Sequence, residues 1–331
     1  MLACATASML QAPIALPKLA RPPMVAMLGV ALGCSFIPAA FAHAQSWWLS
    51  LLGLVLVLVI GASISYAIFR LLARFDRQTA YFSAMPGGIT DMVILAGAYS
   101  ADEQMVAVAQ ALRILLVVLL LPLLIVHGLG LPLTMQAGAT SSEALLTPDF
   151  AVAIGCAAIG MGLGRLLRLP GPYLFGPMAL SGILHLTGVT SFIVPNIAVV
   201  CAQVVIGATI GCRFANTPVK LIFKALFSSV LATVALIAVA YGFAYGVSQL
   251  GHVAPVELVL AYAPGGIAEM GLIALALGIE MPMIVAHHLF RILAVIAGAT
   301  LLLRPLGFRR AAGDGGKLAA ATPGNAAKSD D

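Results

Sequence analysis

Two acids and two bases stand at matching places in a chain that otherwise carries little charge. Asp91 follows the triplet Pro86-Gly87-Gly88, and Glu269 follows Pro264-Gly265-Gly266. Each acid precedes an arginine, Arg113 or Arg291, by 22 residues. All four lie in apolar sequence, where an ionisable group is costly to keep and marks a function by default. A carboxylate there can carry a proton or hold a sodium ion, and a guanidinium can hold an anionic group. The competing reading is a permanent ion pair that fixes one segment against another, a role apolar packing could replace.

The triplets favour function. Proline removes a backbone donor, and two glycines weaken the helix that follows. Broken helix at membrane depth survives only inside protein or beside a watery cavity. The amides of residues 88–91 and 266–269 open a second half-helix, so they lack intrahelical partners and present partial positive charge. They can hold an anion, while Thr90 or Asp91 caps the first and Glu269 serves the second. The predicted binding set is therefore Pro86, Gly87, Gly88, Thr90, Asp91 and Arg113, with Pro264, Gly265, Gly266, Glu269, His288 and Arg291. His287 and His288 are adjacent and point to different faces; helix packing is the plainer reading for both. Gln203 and Thr209 are weaker cavity candidates. His43, His127, His185 and His252 sit near span ends and read as interfacial.

These residues need a membrane around them. Of 331 residues, 62% are hydrophobic and 9% charged, with mean hydropathy +1.08. A soluble domain is about 25% charged. Soluble enzyme, soluble transcription factor and disordered scaffold are thus excluded, and an all-α polytopic membrane protein remains. The net charge of +5 comes from dispersed bases, which argues against direct nucleic-acid binding. Five cysteines, four of them in apolar runs, read as packing residues. Neither a cofactor nor a metal site is expected.

A repeat organises the chain. Met85-Pro-Gly-Gly-Ile-Thr-Asp-Met92 recurs as Ala263-Pro-Gly-Gly-Ile-Ala-Glu-Met270, at an offset of 178 residues. The same offset maps Arg113-Ile-Leu onto Arg291-Ile-Leu, residues 28–36 onto 206–214, and Pro17 onto Pro195. Residues 150–188 then map to positions before or just after residue 1, so the first copy lacks its opening two helices, through a late start codon or a naturally short chain. Residues 1–44 mimic a secretory signal with Ala40-Phe41-Ala42 as its cleavage site, yet the apolar run copies a segment deep in the second half and reads as a membrane helix. The expected organisation is a first repeat at 1–127, a loop at 128–149, a second repeat at 150–303 and a disordered cytoplasmic tail at 304–331.

The hydropathy pattern predicts segments at 17–36, 47–69, 79–101, 104–126, 150–166, 171–188, 196–212, 222–248, 254–279 and 283–303. Segments 79–101 and 254–279 are the broken ones; the other eight are spans. If the broken pair re-enters, every Lys and Arg except Arg113 and Arg291 falls on one side, as the positive-inside rule requires. Full crossing of both would put Arg304, Arg309 and Arg310 on the wrong side. Re-entry makes the halves inverted, the architecture of many secondary transporters, with a cytoplasmic C-terminus in a bacterial-type plasma membrane. Crossing broken helices remain the alternative.

The Pro-Gly-Gly-Ile-x-(Asp/Glu)-Met segments, the downstream Arg-Ile-Leu, and Leu169-Pro-Gly-Pro-Tyr-Leu-Phe-Gly-Pro-Met178 resemble the AbrB membrane-protein family. Members carry the labels AbrB family transcriptional regulator and ammonia monooxygenase. The resemblance implies a duplicated membrane domain with a link to gene expression. It also implies distant similarity to sodium/proton antiporters and bile-acid symporters, which have inverted repeats and crossed broken helices. Neither label matches the residues: copper chemistry wants clustered imidazole or thiolate ligands, and DNA readout wants a basic element in a soluble module. The expected function is secondary transport of a small solute, anionic where guanidinium and half-helix amides hold it, coupled to a proton or sodium ion. A membrane regulatory protein with indirect effects on gene expression is the alternative, and a monooxygenase the least supported. Expected partners are the bilayer, the solute and the coupling ion, with a homodimer admitted.

Overall fold

The computed structural model describes residues 2–9, 17, 19–41, 47–128, 147–169, 171–212, 217–250, 253–279, 281–303 and 308. Most of the predicted inter-repeat loop and tail, with Lys18, His43, Arg213, His252, Arg304, Arg309 and Arg310, lies outside the described residues. Among those described, every regular element is helical. In chain order these are α1 (Leu2–Met9), α2 (Arg21–Gly33), α3 (Trp47–Leu71), α4 (Arg77–Ala84), α5 (Ile89–Ala98), α6 (Glu103–Gly128) and α7 (Pro148–Leu166). They continue with α8 (Pro172–Leu186), α9 (Asn196–Gly211), α10 (Val219–Leu250), α11 (Pro255–Tyr262), α12 (Ile267–Leu277) and α13 (Met281–Leu303). A single 3₁₀ turn covers Pro38–Phe41.

Among the described residues five helices, α3, α6, α7, α10 and α13, are long and apolar enough to cross a bilayer. Three of the eight expected spans are shorter: α2 has 13 residues, α8 has 15 and α9 has 16. At 1.5 Å per residue they reach about 20 to 24 Å, less than a hydrocarbon core of about 30 Å. Proline trims their starts. Pro22 and Pro23 open α2, Pro172 opens α8, and Pro195 is the N-cap of α9. The sequence reading missed α1, which packs against α9.

Both broken segments divide where the triplets stand. Helix α4 stops at Ala84 and α5 starts at Ile89; α11 stops at Tyr262 and α12 starts at Ile267. In each break the motif methionine folds back onto the first glycine. A Cβ on Gly87 would lie 2.8 Å from Met92 Cε, and one on Gly265 would lie 2.6 Å from Met270 Cε. Met92 and Met270 are fully buried. This contact explains the glycine-to-methionine spacing in both copies.

Helices α3 and α10 are counterparts under the 178-residue offset, and they pack side by side. A Cβ on Gly53, near the start of α3, would lie 3.1 Å from Val247, near the end of α10. A Cβ on Gly61, at mid-helix, would lie 2.5 Å from Leu236 Cδ2, and Phe69, at the end of α3, shares a buried cluster with Ile222 and Ala225. The pair is antiparallel, so the two repeats run in opposite senses. Inversion, expected from charge placement, is thus built into the packing.

Helix α2 lies in the interior, with Ala26, Leu28, Val30 and Leu32 fully buried. It packs on α7, α8, α9 and α12. A Cβ on Gly29 would meet the Leu174 carbonyl at 2.5 Å, and one on Gly33 the Met178 carbonyl at 2.6 Å. Small residues here let backbones approach closely. The same holds for Gly160 and Gly164, which face α8, whereas Gly162 between them faces open space.

Candidate functional site

Each break leaves the carbonyls at the end of its first half-helix without intrahelical donors. Arg113, on α6, answers this need for the first copy. Its guanidinium donates to the Met85 carbonyl at 2.9 Å, to the Gly87 carbonyl at 3.2 Å, and to Gln110 Oε1. Gln110 Nε2 in turn donates to the Phe82 carbonyl at 2.8 Å and to Met85 at 3.0 Å. In the second copy, on α13, Arg291 donates to the carbonyls of Ala263 and Gly265. His288 Nε2 donates to the Leu260 carbonyl at 3.0 Å. Every partner in one set is the counterpart of a partner in the other at the same offset: Met85 and Ala263, Gly87 and Gly265, Phe82 and Leu260, Gln110 and His288. The sequence repeat is a repeat of hydrogen bonds.

A cation placed at a helix C-terminus also gains from the dipole. Among the described residues the hydrogen bonds of both guanidiniums go to broken-helix carbonyls, with Gln110 added for Arg113, and not to the motif acids, while Glu269 still acts on Arg291 through its charge. Spacing along the chain set the depth of the arginines but not the direction in which they point.

The acids sit at the opposite end of each break. Gly88 and Gly266 are the N-caps of α5 and α12, so Asp91 and Glu269 lie in the first turns. The Asp91 carboxylate lies against Gly88, where a Cβ would come within 2.6 Å of Oδ2, and Glu269 lies likewise against Gly266. Acid at a helix N-terminus is favoured by the dipole. Here the copies diverge. Asp91, Thr90 and Gly88 are exposed, whereas Glu269 and Gly266 are half-buried, and Pro264 and Gly265 buried.

Glu269 lines a cavity of about 520 Å³ between α6, α9 and α12, within the range of small-molecule sites. Val118 and Pro122 come from the first repeat; Gln203, Gly207 and Ile210 come from α9 of the second. The walls are apolar except for Glu269 and Gln203. Pro122 lies inside α6 and cannot donate to the carbonyl four residues earlier, that of Val118. The cavity thus sits where the inverted repeats meet.

The other candidates fall outside it. Thr209 donates to the Val205 carbonyl in its own helix at 2.7 Å. His287 links α13 to α3 through Ser50 Oγ at 2.8 Å, and Tyr262 donates to the Ser50 carbonyl at 2.7 Å. Both adjacent histidines are fully buried packing residues. His185 bridges the carbonyls of Ser181 and Phe192. Gln110 was not among the sequence candidates, although the offset maps it onto His288.

Residues 1–307 match the model of a family described as transition state regulatory protein AbrB. The chain belongs to the AbrB family. It is 27% identical over 286 residues to the Bacillus subtilis (strain 168) protein named "Uncharacterized protein YhjN", covering 82% of this chain and 74% of that one. It is 25% identical over 270 residues to the Escherichia coli (strain K12) protein named "Putative regulator AbrB", covering 79% of this chain and 75% of that one. Apolar helices and family membership together make this AbrB-family chain a multi-pass membrane protein.

Proposed function

We propose that this AbrB-family protein is a secondary transporter in which Glu269 carries the coupling proton or sodium ion. One observation carries the reading: Glu269, at the start of a broken half-helix, opens into the 520 Å³ cavity between inverted repeats. Secondary transporters place substrate and ion sites there, on discontinuous helices. Gln203, the other polar side chain of the wall, adds an amide oxygen suited to a cation. The arginines are held by backbone carbonyls, so an anionic group on the solute would be met by the α12 amides. The carboxylate favours a cation or proton as the second passenger. Arg70, Lys220 and Lys224 lie at one end of the α3–α10 pair, which is the cytoplasmic end by the positive-inside rule.

The test is solute and proton flux in proteoliposomes. A metabolite panel screened by thermal stabilisation supplies the solute, since selective binding to the folded state raises apparent stability. Glu269→Gln keeps the shape of the side chain and is expected to abolish proton-coupled uptake while the protein still folds. Undiminished uptake by that variant would remove the role. The regulatory reading rests on the names of the family and of the Escherichia coli relative. Capture of a specific cytoplasmic partner by cross-linking, with no flux of any solute on the panel, would favour it.

A further inference from the structure

The second half-helices α5 and α12 are the same part mounted twice. Each opens with the same bond: Met92 N–H donates to the Gly88 carbonyl, and Met270 N–H to the Gly266 carbonyl, both at 3.0 Å. Each closes with the same turn, where Ala101 N–H donates to Ala96 and Ile279 N–H to Ala274, both at 2.9 Å. Ser100 and Gly278, counterparts at the 178-residue offset, both take left-handed backbone, with φ of 58° and 67°. Each rod is thus tethered at both ends by a helix break, where hinges form. The first half-helices are fixed by contrast: Thr79–Ala84 of α4 and Leu258–Tyr262 of α11 are buried throughout.

Identical tethers hold the rods in different seats. Helix α12 leans across to the other repeat and packs on α2 as well as on α13. A Cβ on Gly271 would lie 3.4 Å from Leu32 Cγ. Helix α5 stays on its own repeat, against α4 and α6; among the described residues it has no comparable packing on α9, the counterpart of α2. Both rods bury a matching pair, Met92 and Ala96 or Met270 and Ala274. Gly271, which meets the other repeat, is also buried, whereas its counterpart Val93 is only half-buried. The seat that α5 does not use is nevertheless present. Leu32 corresponds to Ile210, and Ile210 lines the cavity that α12 bounds through Glu269, Leu272 and Ile273. Open space stands on that face of α9 where a rod stands on α2.

We propose that the two rods exchange seats. In the second state α5 swings onto α9, with Val93 against Ile210, while α12 withdraws from α2 onto α13, as α5 now lies on α6. Asp91 then enters the half-buried position that Glu269 holds here, and Glu269 becomes exposed. The two movements are coupled, because α12 borders the space that α5 must enter. Inverted repeats offer both states the same kinds of contact, with the membrane sides reversed, and an ion that binds one state better shifts the population toward it. The exchange rests on the transporter reading for its purpose: the two acids are uncovered in turn, Asp91 in this state and Glu269 in the other.

In a background with the five cysteines replaced, two cysteine pairs read the two states in membranes holding the full-length protein. Leu32→Cys/Gly271→Cys should form a disulfide in the state described here, since those side-chain positions adjoin, within disulfide reach. Val93→Cys/Ile210→Cys should form one as well, seen as a loss of labelling by a maleimide-polyethylene glycol that dithiothreitol restores. A disulfide at the first pair alone, at every pH and sodium concentration, overturns the exchange. Should either pair fail to fold, spin labels at the exposed positions Ile94 and Val204 decide. Two populated distances whose ratio shifts with pH or sodium support the exchange, and one invariant distance refutes it. Neither readout needs flux, so the role of Glu269 is judged apart from it. Normal uptake by Glu269→Gln would remove that role while a second cross-link still upholds the exchange; lost uptake with no second cross-link would sink the exchange alone.

Discussion

At the residue scale the two arginines act as helix caps before anything else. Arg291 is 5% exposed and donates to two carbonyls of a break whose Ala263 and Gly265 are buried. Hydrogen bonds from a charged donor contribute about 1.5–3 kcal/mol each. Arg291→Leu should therefore cost about 3 kcal/mol or more, seen as a drop of several degrees in unfolding temperature in detergent. Asp91→Asn, at an exposed position, should change stability by no more than about 1 kcal/mol, the scale of a dipole contribution. Equal stability of Arg291→Leu and wild type would show that the clamp carries no weight. Pairing each acid with the base 22 residues on did not reveal this division, because the spacing runs through a half-helix, a turn and part of the next helix, and which groups meet depends on how those helices pack. The offset did hold the answer for Gln110, whose counterpart His288 was visible from the start.

At the element scale the breaks were legible because Pro-Gly-Gly acts locally, on backbone donors and helix propensity. Helix lengths were less so. Hydropathy marks how far an apolar run extends, but Pro22, Pro172 and Pro195 decide where α2, α8 and α9 begin. The exposure of Asp91 against the half-burial of Glu269 was not legible at all, since α12 packs against α2, α13 and α6 whereas α5 packs on α4 and α6. Close helix packing offers a sharp test of these contacts. Gly29→Ala would push a methyl into the Leu174 carbonyl, a backbone atom with no room to yield. A cost of about 1–3 kcal/mol follows from overpacking. Gly162→Ala meets nothing within 4 Å, and should raise stability by about 0.5–1 kcal/mol through helix propensity. Thermal unfolding of the two variants side by side checks both signs.

At the scale of the whole molecule, antiparallel packing of α3 on α10 ties the internal duplication to membrane sidedness. Counterpart helices that run in opposite senses place the end of α3 beside the start of α10, and the start of α3 beside the end of α10. Leu71 and Lys220 mark the first end; Trp48 and Leu250 mark the second, and all four are exposed. In a background with Cys4, Cys34, Cys156, Cys201 and Cys212 replaced, single cysteines at these four positions report sidedness in intact cells. A membrane-impermeant maleimide should label Trp48→Cys and Leu250→Cys from outside, and reach Leu71→Cys and Lys220→Cys only after the membrane is opened. Labelling of Leu71→Cys and Lys220→Cys from opposite sides would break the inverted arrangement. The cavity holding Glu269 would then no longer lie on an axis about which the halves could exchange access, and the case for alternating transport would fall with it.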